Sequence, residues 1–397
     1  MRINLNESTL EKKELDGIID LFTTNRLTMG SRCIEFENTF SQSFGVKHAV
    51  MVNSGSSANL LAFFAIANPI INDLKILPTV SSGSEIIVPA LTWSTSVWPI
   101  IQIGCIPVFV DSNPNTLQMD LNAVEAAITP KTKAICAPHI LGNAINLQKL
   151  KQLADKYGLW LIEDTCEALG VKNNGKFAGT EGHFGTYSFY FSHHITTIEG
   201  GMIVTNDDAL ADVVRSMRAH GWIRHMHHAE NYIKENPTID PRFLFISTGF
   251  NVRPTEINAV LGISQLKKLN AFNEKRNAIK TTWDTAFKKL QDNGTLTSIE
   301  ITDGTEAALF GYPVICKDEK LKNELQCYLE KNDIETRPII CGNLTRQPAL
   351  KYHQYRIQGE LKGTDHIMNC GLYWGIHPMM TSDQIHYVSN TVLGFFK

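Results

Sequence analysis

Two adjacent histidines, His193 and His194, stand in the segment YFSHHITTIEGG (190–201), between a strand-like run and a Glu-Gly-Gly turn. An imidazole has an ordinary pKa of about 6.5, so either side chain could take up or release a proton near neutral pH. Paired histidines can also bind a metal ion or lie on the surface without a function. The segment alone leaves these three interpretations open.

The segment NSGSSANLLAFFA (53–65) places Gly55 and Ser56 at the start of a predicted helix, directly after a strand. Backbone N–H groups at a helix N-terminus bind anions, helped by the helix dipole. The motif lacks the lysine of a P-loop and the glycine spacing of a dinucleotide site. It predicts a phosphate site, with a simple helix cap as the alternative.

The segment LIEDTCEALG (161–170) ends an apolar strand in Asp164, and Glu167 follows three residues later. A carboxylate at such a position is costly to bury unless it is paired. Accepting a hydrogen bond from the protonated ring nitrogen of a pyridine cofactor would pair it, whereas capping the next turn is the alternative. Glu167 could face the same pocket.

Two other segments supply aromatic and polar groups. Trp93 follows a strand in PALTWSTSVWP (89–99), where its ring could stack on a planar cofactor or pack in the core. The loop GFNVRP (249–254) carries Asn251 and Arg253, which are polar enough to bind phosphate, with ordinary turn chemistry as the alternative.

The elements that must position these residues are β-rich runs that alternate with helix-like segments. The runs are KHAVMVNS (47–54), EIIVPAL (85–91), PVFVDS (107–112), KAICAPHIL (133–141) and WLIEDTC (160–166). Apolar strands separated by helices predict an α/β fold whose mostly parallel sheet is covered on both faces. We expect TYSFYF (186–191) and GGMIVT (200–205) to be neighbouring strands around the histidine loop. Ligands bind beyond the carboxyl ends of such strands, where the candidate residues fall.

Length and composition are typical of a soluble globular protein of the size of an enzyme: 397 residues, 43% hydrophobic, 19% charged, with a formal net charge of -3. Since single cores stop growing at roughly 250–300 residues, we predict a large domain (1–270) with an N-terminal arm and a smaller C-terminal α/β domain (271–397). The charge gives no general affinity for nucleic acid. No apolar run reaches the ~20 residues of a membrane span, and the N-terminus is not typical of a signal peptide. We therefore expect a cytoplasmic protein without nucleic-acid or membrane partners.

The eight cysteines are scattered along the chain without a C-x-x-C or C-x-C pair. The spacings typical of zinc and iron–sulfur sites are therefore missing, and we expect reduced thiols and no metal.

Together and in this order, the segments resemble the sugar aminotransferases of the DegT/DnrJ/EryC1/StrS family over nearly the whole chain. The matching segments are SGSSANL, VPALTWSTS, LIEDTCEALG, GTYSFYFSHHITTIEGGMIVT, RAHGW and GFNVRPTEINAVLG. The resemblance implies the aspartate aminotransferase fold (PLP fold type I) and a pyridoxal 5'-phosphate (PLP) cofactor. The implied cofactor ligands are Gly55, Ser56 and Ser188 for the phosphate, Trp93 and Asp164 for the ring, Glu167 beside them, and Asn251 from the other subunit of a homodimer with shared active sites.

One departure from the family determines the predicted reaction. The family places a lysine, which binds the cofactor covalently, where this chain has His193, and an asparagine where it has His194. We therefore expect PLP and pyridoxamine 5'-phosphate (PMP) to bind non-covalently. The pattern resembles the lysine-lacking branch of the family, the sugar 3-dehydratases. His193 is then the predicted catalytic base and acid, while His194 receives no role beyond packing or orientation.

The resemblance implies a lyase of deoxysugar biosynthesis that removes the 3-hydroxyl of a nucleotide-linked 4-keto-6-deoxy sugar. GDP-4-keto-6-deoxy-D-mannose, of the colitose pathway to O-antigen, is the expected substrate. L-Glutamate would regenerate PMP, and ammonia would be released. The expected substrate ligands are His220, by resemblance, and Arg224 and Arg337, by charge. The insertion that carries His225, His227 and His228 is expected to be a solvated loop near the nucleotide, with a metal site as the alternative.

Three alternatives stay open. The chain could be a nucleotide-sugar aminotransferase that works without the lysine, or a non-catalytic relative that binds the cofactor. It could also be a CDP-sugar 3-dehydrase, but that branch needs a [2Fe–2S] cluster on clustered cysteines, and the cysteines here are scattered.

Overall fold

The computed structural model describes residues 1–24 and 27–397. Its strands are β1 (His48–Val52), β2 (Glu85–Pro89), β3 (Ile106–Val110), β4 (Thr132–Pro138), β5 (Trp160–Asp164), β6 (Lys172–Asn173), β7 (Lys176–Phe177), β8 (Phe184–Ser188), β9 (Gly201–Thr205), β10 (Leu296–Ser298), β11 (Thr305–Glu306), β12 (Gly311–Cys316), β13 (Thr336–Arg337), β14 (Arg356–Ile357) and β15 (Gly371–Gly375). Its α-helices are α1 (Lys12–Thr24), α2 (Ser31–Phe44), α3 (Gly55–Ile66), α4 (Ile71–Leu74), α5 (Trp98–Gln102), α6 (Leu121–Ala127), α7 (Leu147–Tyr157), α8 (Asp208–Arg218), α9 (Glu230–Glu235), α10 (Glu256–Leu266), α11 (Leu269–Ala286), α12 (Lys288–Asp292), α13 (Glu319–Lys331), α14 (Lys362–Cys370) and α15 (Ser382–Phe395).

The central sheet has the strand order β1-β9-β8-β5-β4-β2-β3-β14. The strands from β8 to β14 are parallel, whereas β9 runs antiparallel to both β1 and β8. This confirms the predicted mostly parallel sheet and the pairing around the histidine loop. Each of the five apolar runs forms a strand that ends two or three residues before the run does. The remaining residues leave the sheet and form the loops beyond its carboxyl edge.

Helices α3 and α7 show how local sequence positions the elements around this edge. Helix α7 is capped by the side chain of Asn146 and ends at Gly158, whose φ of 61° suits a residue without a Cβ. Its Leu150 and Ala154 face the core. Helix α3 is apolar on nearly all sides because it is buried between β8, β9 and α8. Packing therefore directs the N-terminus of α3 at the carboxyl edge of the sheet.

A second, antiparallel sheet, in the order β10-β12-β15-β13, forms in the last third of the chain. Trp283, Tyr312 and Trp374 are fully buried in its core. Within the predicted C-terminal α/β domain, β12, α13 and β13 follow one another along the chain, and β15 lies between the two strands in the sheet.

The predicted domain boundary at residue 270 falls inside α11 and stays a prediction. Two short segments pair with residues from the other side of this boundary. Ile3, near the N-terminus, pairs with Ile334, and the C-terminal strand β14 extends the large sheet beside β3. No helix in the described ranges 1–24 and 27–397 has the length and apolar character needed to cross a bilayer.

Candidate active site

A cavity of about 420 Å³ opens beyond the carboxyl ends of β5 and β8 and at the N-terminus of α3. Seven of the predicted site residues line it: Gly55, Ser56, Trp93, Asp164, Glu167, Ser188 and His193. They come from segments up to about 140 residues apart in the sequence, and they meet because parallel strands end at one edge of the sheet.

The predicted phosphate site forms where α3 begins. The Ser54 side chain caps the helix by accepting from the Ser57 N–H at 3.1 Å, which leaves the first N–H groups directed at the cavity. A Cβ on Gly55 would lie 2.4 Å from the Cβ of Ser188, so only glycine lets the helix start this close to the end of β8. The result is a small, hydroxyl-lined hollow at the positive end of a helix dipole, which suits a phosphate.

Asp164 ends β5 with its carboxylate held by three donors. Its Oδ2 accepts from Asn59 Nδ2 and from Ser96 Oγ, each at 2.7 Å, and its Oδ1 accepts from the Cys166 N–H at 3.1 Å. Asp164 is only 6% exposed. The surface that it keeps faces the cavity, where a protonated pyridine nitrogen could donate to it.

His193 and Trp93 face the cavity from the loops around it. The ring of His193 packs edge-on against Phe310 at a centroid distance of 5.1 Å and against Tyr190 at 6.0 Å. Burial lowers the pKa of His193 to about 4, so the imidazole is neutral at physiological pH and can accept a proton. Trp93 follows β2 and presents its ring to the cavity while staying 56% exposed.

Glu167 reaches the same cavity from the turn after β5. Its Oε2 accepts from the Leu141 N–H at 3.0 Å, and Leu141 itself has a φ of 51°, a strained value for a leucine. Burial, with a further contribution from Asp164, raises the pKa of Glu167 to about 7. Glu167 therefore exchanges a proton close to neutral pH, within the pocket that holds His193.

His194 points away from the cavity. Its Nε2 donates to the carbonyl of Ala308 at 2.7 Å, and the residue is fully buried beside Phe310. Burial, together with the charge of Arg276, lowers the pKa of His194 to about 3. This second histidine connects the histidine loop to the segment that leads into β12, which is a structural role.

Four of the predicted site residues do not line this cavity. His220 and Asn251 are exposed on adjacent segments, joined by a bridge between Ala219 and Asn251. The Arg224 guanidinium lies 5.1 Å from the centre of the Trp222 ring, against a second cavity of about 420 Å³. Arg337 is exposed and ion-paired with Glu335 at 2.6 Å. On the neighbouring strand β15 its pairing partner is Tyr373, which lines the main cavity.

The three histidines of the insertion do not converge. His228 Nδ1 lies 3.0 Å from Asp212, and the backbone N–H of His227 also donates to that carboxylate. Burial lowers the pKa of His225 to about 4. Among the described residues, no group of three or more His, Cys, Asp or Glu is arranged to hold a metal ion.

Sequence reasoning missed several residues of the site. Asn59 and Thr186 form the network behind Asp164, and Asn59 carried a usable signal as an amide within an otherwise apolar helix. Phe310, Ile340 and Tyr373 line the cavity from the last third of the chain. Their positions depend on how the second sheet packs, and no local pattern marks them.

The cavity fits a pyridoxal-type cofactor. A helix N-terminus for a phosphate, an indole for a ring face and a carboxylate for a ring nitrogen all open onto it. Within residues 1–24 and 27–397, the residues that line the cavity include neither lysine nor arginine. The described residues that line the cavity therefore offer a cofactor aldehyde no lysine amine, and they offer a diphosphate neither lysine nor arginine.

Comparisons with known proteins agree with this geometry. A model of the DegT/DnrJ/EryC1/StrS aminotransferase family matches residues 8–393. The GDP-4-keto-6-deoxy-D-mannose 3-dehydratase of Yersinia pseudotuberculosis is 39% identical over 392 residues, which cover 97% of this chain and 97% of that protein.

Two solved structures of GDP-4-keto-6-deoxymannose-3-dehydratase are also similar. One is a histidine-to-asparagine mutant with bound GDP-perosamine; it is 34% identical with a TM-score of 0.88 and covers 98% of this chain and 100% of its own. The other holds a trapped PLP–glutamate geminal diamine; it is 33% identical with a TM-score of 0.88 and has the same coverage.

Proposed function

Because the chain belongs to the DegT/DnrJ/EryC1/StrS aminotransferase family, we propose that it is a PLP- and PMP-dependent dehydratase that removes the 3-hydroxyl of a nucleotide-linked 4-keto-6-deoxy sugar. The observation that carries the proposal is His193, a neutral imidazole in a cavity whose described lining residues include the proposed ligands of the phosphate and the ring but no lysine. A dehydration of this kind needs a base for the proton of the cofactor methylene and an acid for the departing 3-hydroxyl, and one imidazole can serve both roles in turn.

The proposed cofactor ligands divide the cavity into three parts. Gly55, Ser56 and Ser188 would hold the phosphate at the start of α3, and Trp93 would cover one face of the ring. Asp164 would accept from the ring nitrogen. When bound, the cofactor supplies an amine for the keto group and a ring that withdraws electrons from the reacting carbons.

His193 would then perform the proton transfers. Its pKa of about 4 leaves the imidazole unprotonated before reaction, so it can take a proton from the cofactor methylene. The resulting imidazolium is a strong acid in this buried position and can protonate the departing 3-hydroxyl. Phe310 and Tyr190, packed edge-on around the ring, restrict its orientation during both transfers.

We propose GDP-4-keto-6-deoxy-D-mannose as the substrate and L-glutamate as the amino donor. The support is the similarity to dehydratases of that name and to structures with bound GDP-perosamine and a PLP–glutamate adduct. One relative at 36% identity is named a lipopolysaccharide biosynthesis protein, which supports a place in O-antigen sugar synthesis.

We also propose a homodimer with shared active sites. The cavity has no cation among its described lining residues, although its proposed substrate carries a diphosphate. Exposed aromatic side chains, Trp93 at 56%, Tyr190 at 47% and Phe191 at 40%, lie at or beside its rim, as expected for a surface that a second copy covers. His220, Arg224 and Asn251 would reach this site from the partner, and Arg337 would approach it within the same chain.

A cytoplasmic location is part of the proposal, because eight free cysteines suit a reducing compartment.

Turnover of 4-keto-6-deoxy sugars linked to GDP, CDP, UDP or dTDP, with glutamate present, tests the function. We expect ammonia and a 3,6-dideoxy-4-keto sugar with the GDP substrate. An accumulating amino sugar would identify an aminotransferase instead, and no reaction with any of the four would leave only a cofactor-binding protein.

Borohydride treatment tests the non-covalent binding of PLP independently of turnover. A cofactor bound through an imine would be reduced and fixed to the protein. We expect the cofactor to stay removable by dialysis after treatment, as the alcohol that borohydride forms from its free aldehyde, and a covalent pyridoxyl adduct detected by mass spectrometry would contradict the proposal.

A further inference from the structure

Asn59 lies one helical turn after Gly55, on the side of α3 that faces β5 and β8. The residue is 0% exposed. Its Nδ2 donates to Asp164 Oδ2 at 2.7 Å, and its Oδ1 accepts from Thr186 Oγ1 at 2.6 Å. An ionised carboxylate only accepts hydrogen bonds, so the amide nitrogen, and not its oxygen, must face Asp164.

The two oxygens of Asp164 differ in how many donors they meet. Oδ2 accepts from both Asn59 and Ser96, and Thr92 donates to Ser96 Oγ at 3.0 Å, which directs the serine hydrogen at the carboxylate. Among the described residues, the Cys166 N–H donates to Oδ1 at 3.1 Å, and the Cys166 thiol lies within hydrogen-bond reach of the same carboxylate. Since each carboxylate oxygen offers about two lone-pair sites, Asn59 and Ser96 fill Oδ2, while the backbone N–H takes one site of Oδ1.

We propose that Asn59 is a positioning residue that holds Asp164 Oδ2 from behind, so that the free lone pair of Oδ1 points at the ring nitrogen of the cofactor. The inference rests on the proposed function, because it requires a pyridine ring above Asp164. The terminal torsion of an aspartate is broad and roughly two-fold, so a carboxylate without such contacts would rotate.

Two substitutions of Asn59 separate this role from simple packing. Asn59→Leu keeps the approximate volume and removes the donor. Asn59→Asp keeps the shape and places a second carboxyl group against Asp164, so that it can donate only when it holds a proton. Asn68→Leu is the matched control, because Asn68 is 6% exposed just beyond the other end of α3 and donates to Met217 Sδ, away from Asp164.

The measurements are the Kd of PLP for the apoprotein and the absorbance of the bound PLP as a function of pH. We expect Asn59→Leu to weaken PLP binding roughly 10- to 150-fold, the range for one lost charge-assisted contact, and to move the titration of the bound ring nitrogen to lower pH. Asn59→Asp should bind PLP nearly as well as the wild type in acid and progressively worse as the pH rises. Asn68→Leu should change neither measurement.

Three results would overturn the inference: a folded Asn59→Leu variant with the wild-type Kd and titration, an equal loss in Asn59→Leu and Asn68→Leu, or an Asn59→Asp variant whose affinity does not depend on pH. If Asn59→Leu does not fold, Thr186→Val removes only the hydroxyl that orients the amide, and we expect the same changes at smaller size. The proposed function is judged separately, from the product that the wild-type enzyme forms.

Discussion

The site has two regions of different origin, the carboxyl edge of the large sheet and the loops between residues 220 and 253. At the sheet edge, Gly55, Asp164 and Ser188 meet around one cavity within a single chain. In the loops, Arg224 and Asn251 are exposed and do not line that cavity. The proposed function assigns the chemistry to the sheet edge and the loops to the site of a second subunit, where a diphosphate needs cations.

The largest expected effect tests whether the sheet edge alone carries the chemistry. His193→Asn removes the neutral imidazole from the cavity but keeps a polar side chain of similar position. We expect kcat to fall roughly 100- to 10,000-fold, the usual contribution of a general acid–base group, with PLP still bound. Steady-state assays with the GDP-linked keto sugar measure this effect.

The matched control for that substitution is His386→Asn, which changes an exposed histidine on α15. It should keep wild-type turnover. A His193→Asn variant with full kcat would show that another group transfers the proton and would remove the basis for placing the chemistry at this edge.

A second prediction tests whether the loops act across subunits. Arg224→Ala should raise the KM for the nucleotide sugar roughly 10- to 100-fold, because a charge-assisted contact to phosphate is lost. Co-expression of His193→Asn and Arg224→Ala chains with two affinity tags yields mixed dimers that contain one site with both residues intact. Random pairing should restore about a quarter of wild-type activity at low substrate, since half of the dimers are mixed and each has one complete site.

Failure to recover activity in purified mixed dimers would contradict the shared site. In that case Arg224 would act within its own chain or would serve only the aromatic cavity beside Trp222. An Arg224→Ala variant with an unchanged KM would exclude this loop from substrate binding altogether.

The same contrast explains how much the sequence could predict. Asp164 and His193 were expected at the carboxyl edge because apolar runs locate the strands and strand geometry collects their ends, and both line the cavity. Ser188, which the family resemblance implied, lines it too. Phe310 and Tyr373 reach the cavity through long-range packing that no local pattern records. His194 could not be interpreted either, since its partner is the backbone carbonyl of Ala308, and any residue offers a carbonyl.

A third prediction concerns the carboxyl group of Glu167 within the sheet-edge region. Its pKa of about 7 means that the side chain is neutral below this pH and becomes an anion above it. An anion in the cavity opposes the phosphate-bearing cofactor, so we expect PLP affinity to fall roughly three- to tenfold as the pH rises through this range. Glu167→Gln, which can still accept from the Leu141 N–H, should flatten the dependence measured by PLP titration.

Glu199→Gln is the control for this effect, because Glu199 also lines the cavity but is exposed. It should keep the wild-type dependence on pH. An unchanged slope in Glu167→Gln would show that a different group, or the cofactor itself, titrates near neutral pH.

The smallest expected effect concerns the free energy of unfolding, to which His194 should contribute through its hydrogen bond and its titration. The folded-state pKa of His194 is about 3, below its unfolded value of 6.5, so the unfolded chain binds the extra proton first as the pH falls. Stability from this residue is therefore complete well above pH 6.5 and is lost on acidification, by roughly 1 kcal/mol at about pH 5.5. His194→Gln can still donate to the Ala308 carbonyl but does not titrate, so urea unfolding should show a correspondingly smaller loss between about pH 7.5 and pH 5.5.

His194→Gln keeps the hydrogen-bond donor, whereas His194→Phe removes it and leaves the buried carbonyl of Ala308 without that donor. We expect it to lower the free energy of unfolding by about 1–3 kcal/mol at neutral pH and to reduce kcat less than His193→Asn does. If His194→Phe instead abolished turnover while the fold stayed stable, His194 would belong to the chemistry of the cavity. The division between a proton-transferring histidine and a structural one would then be wrong.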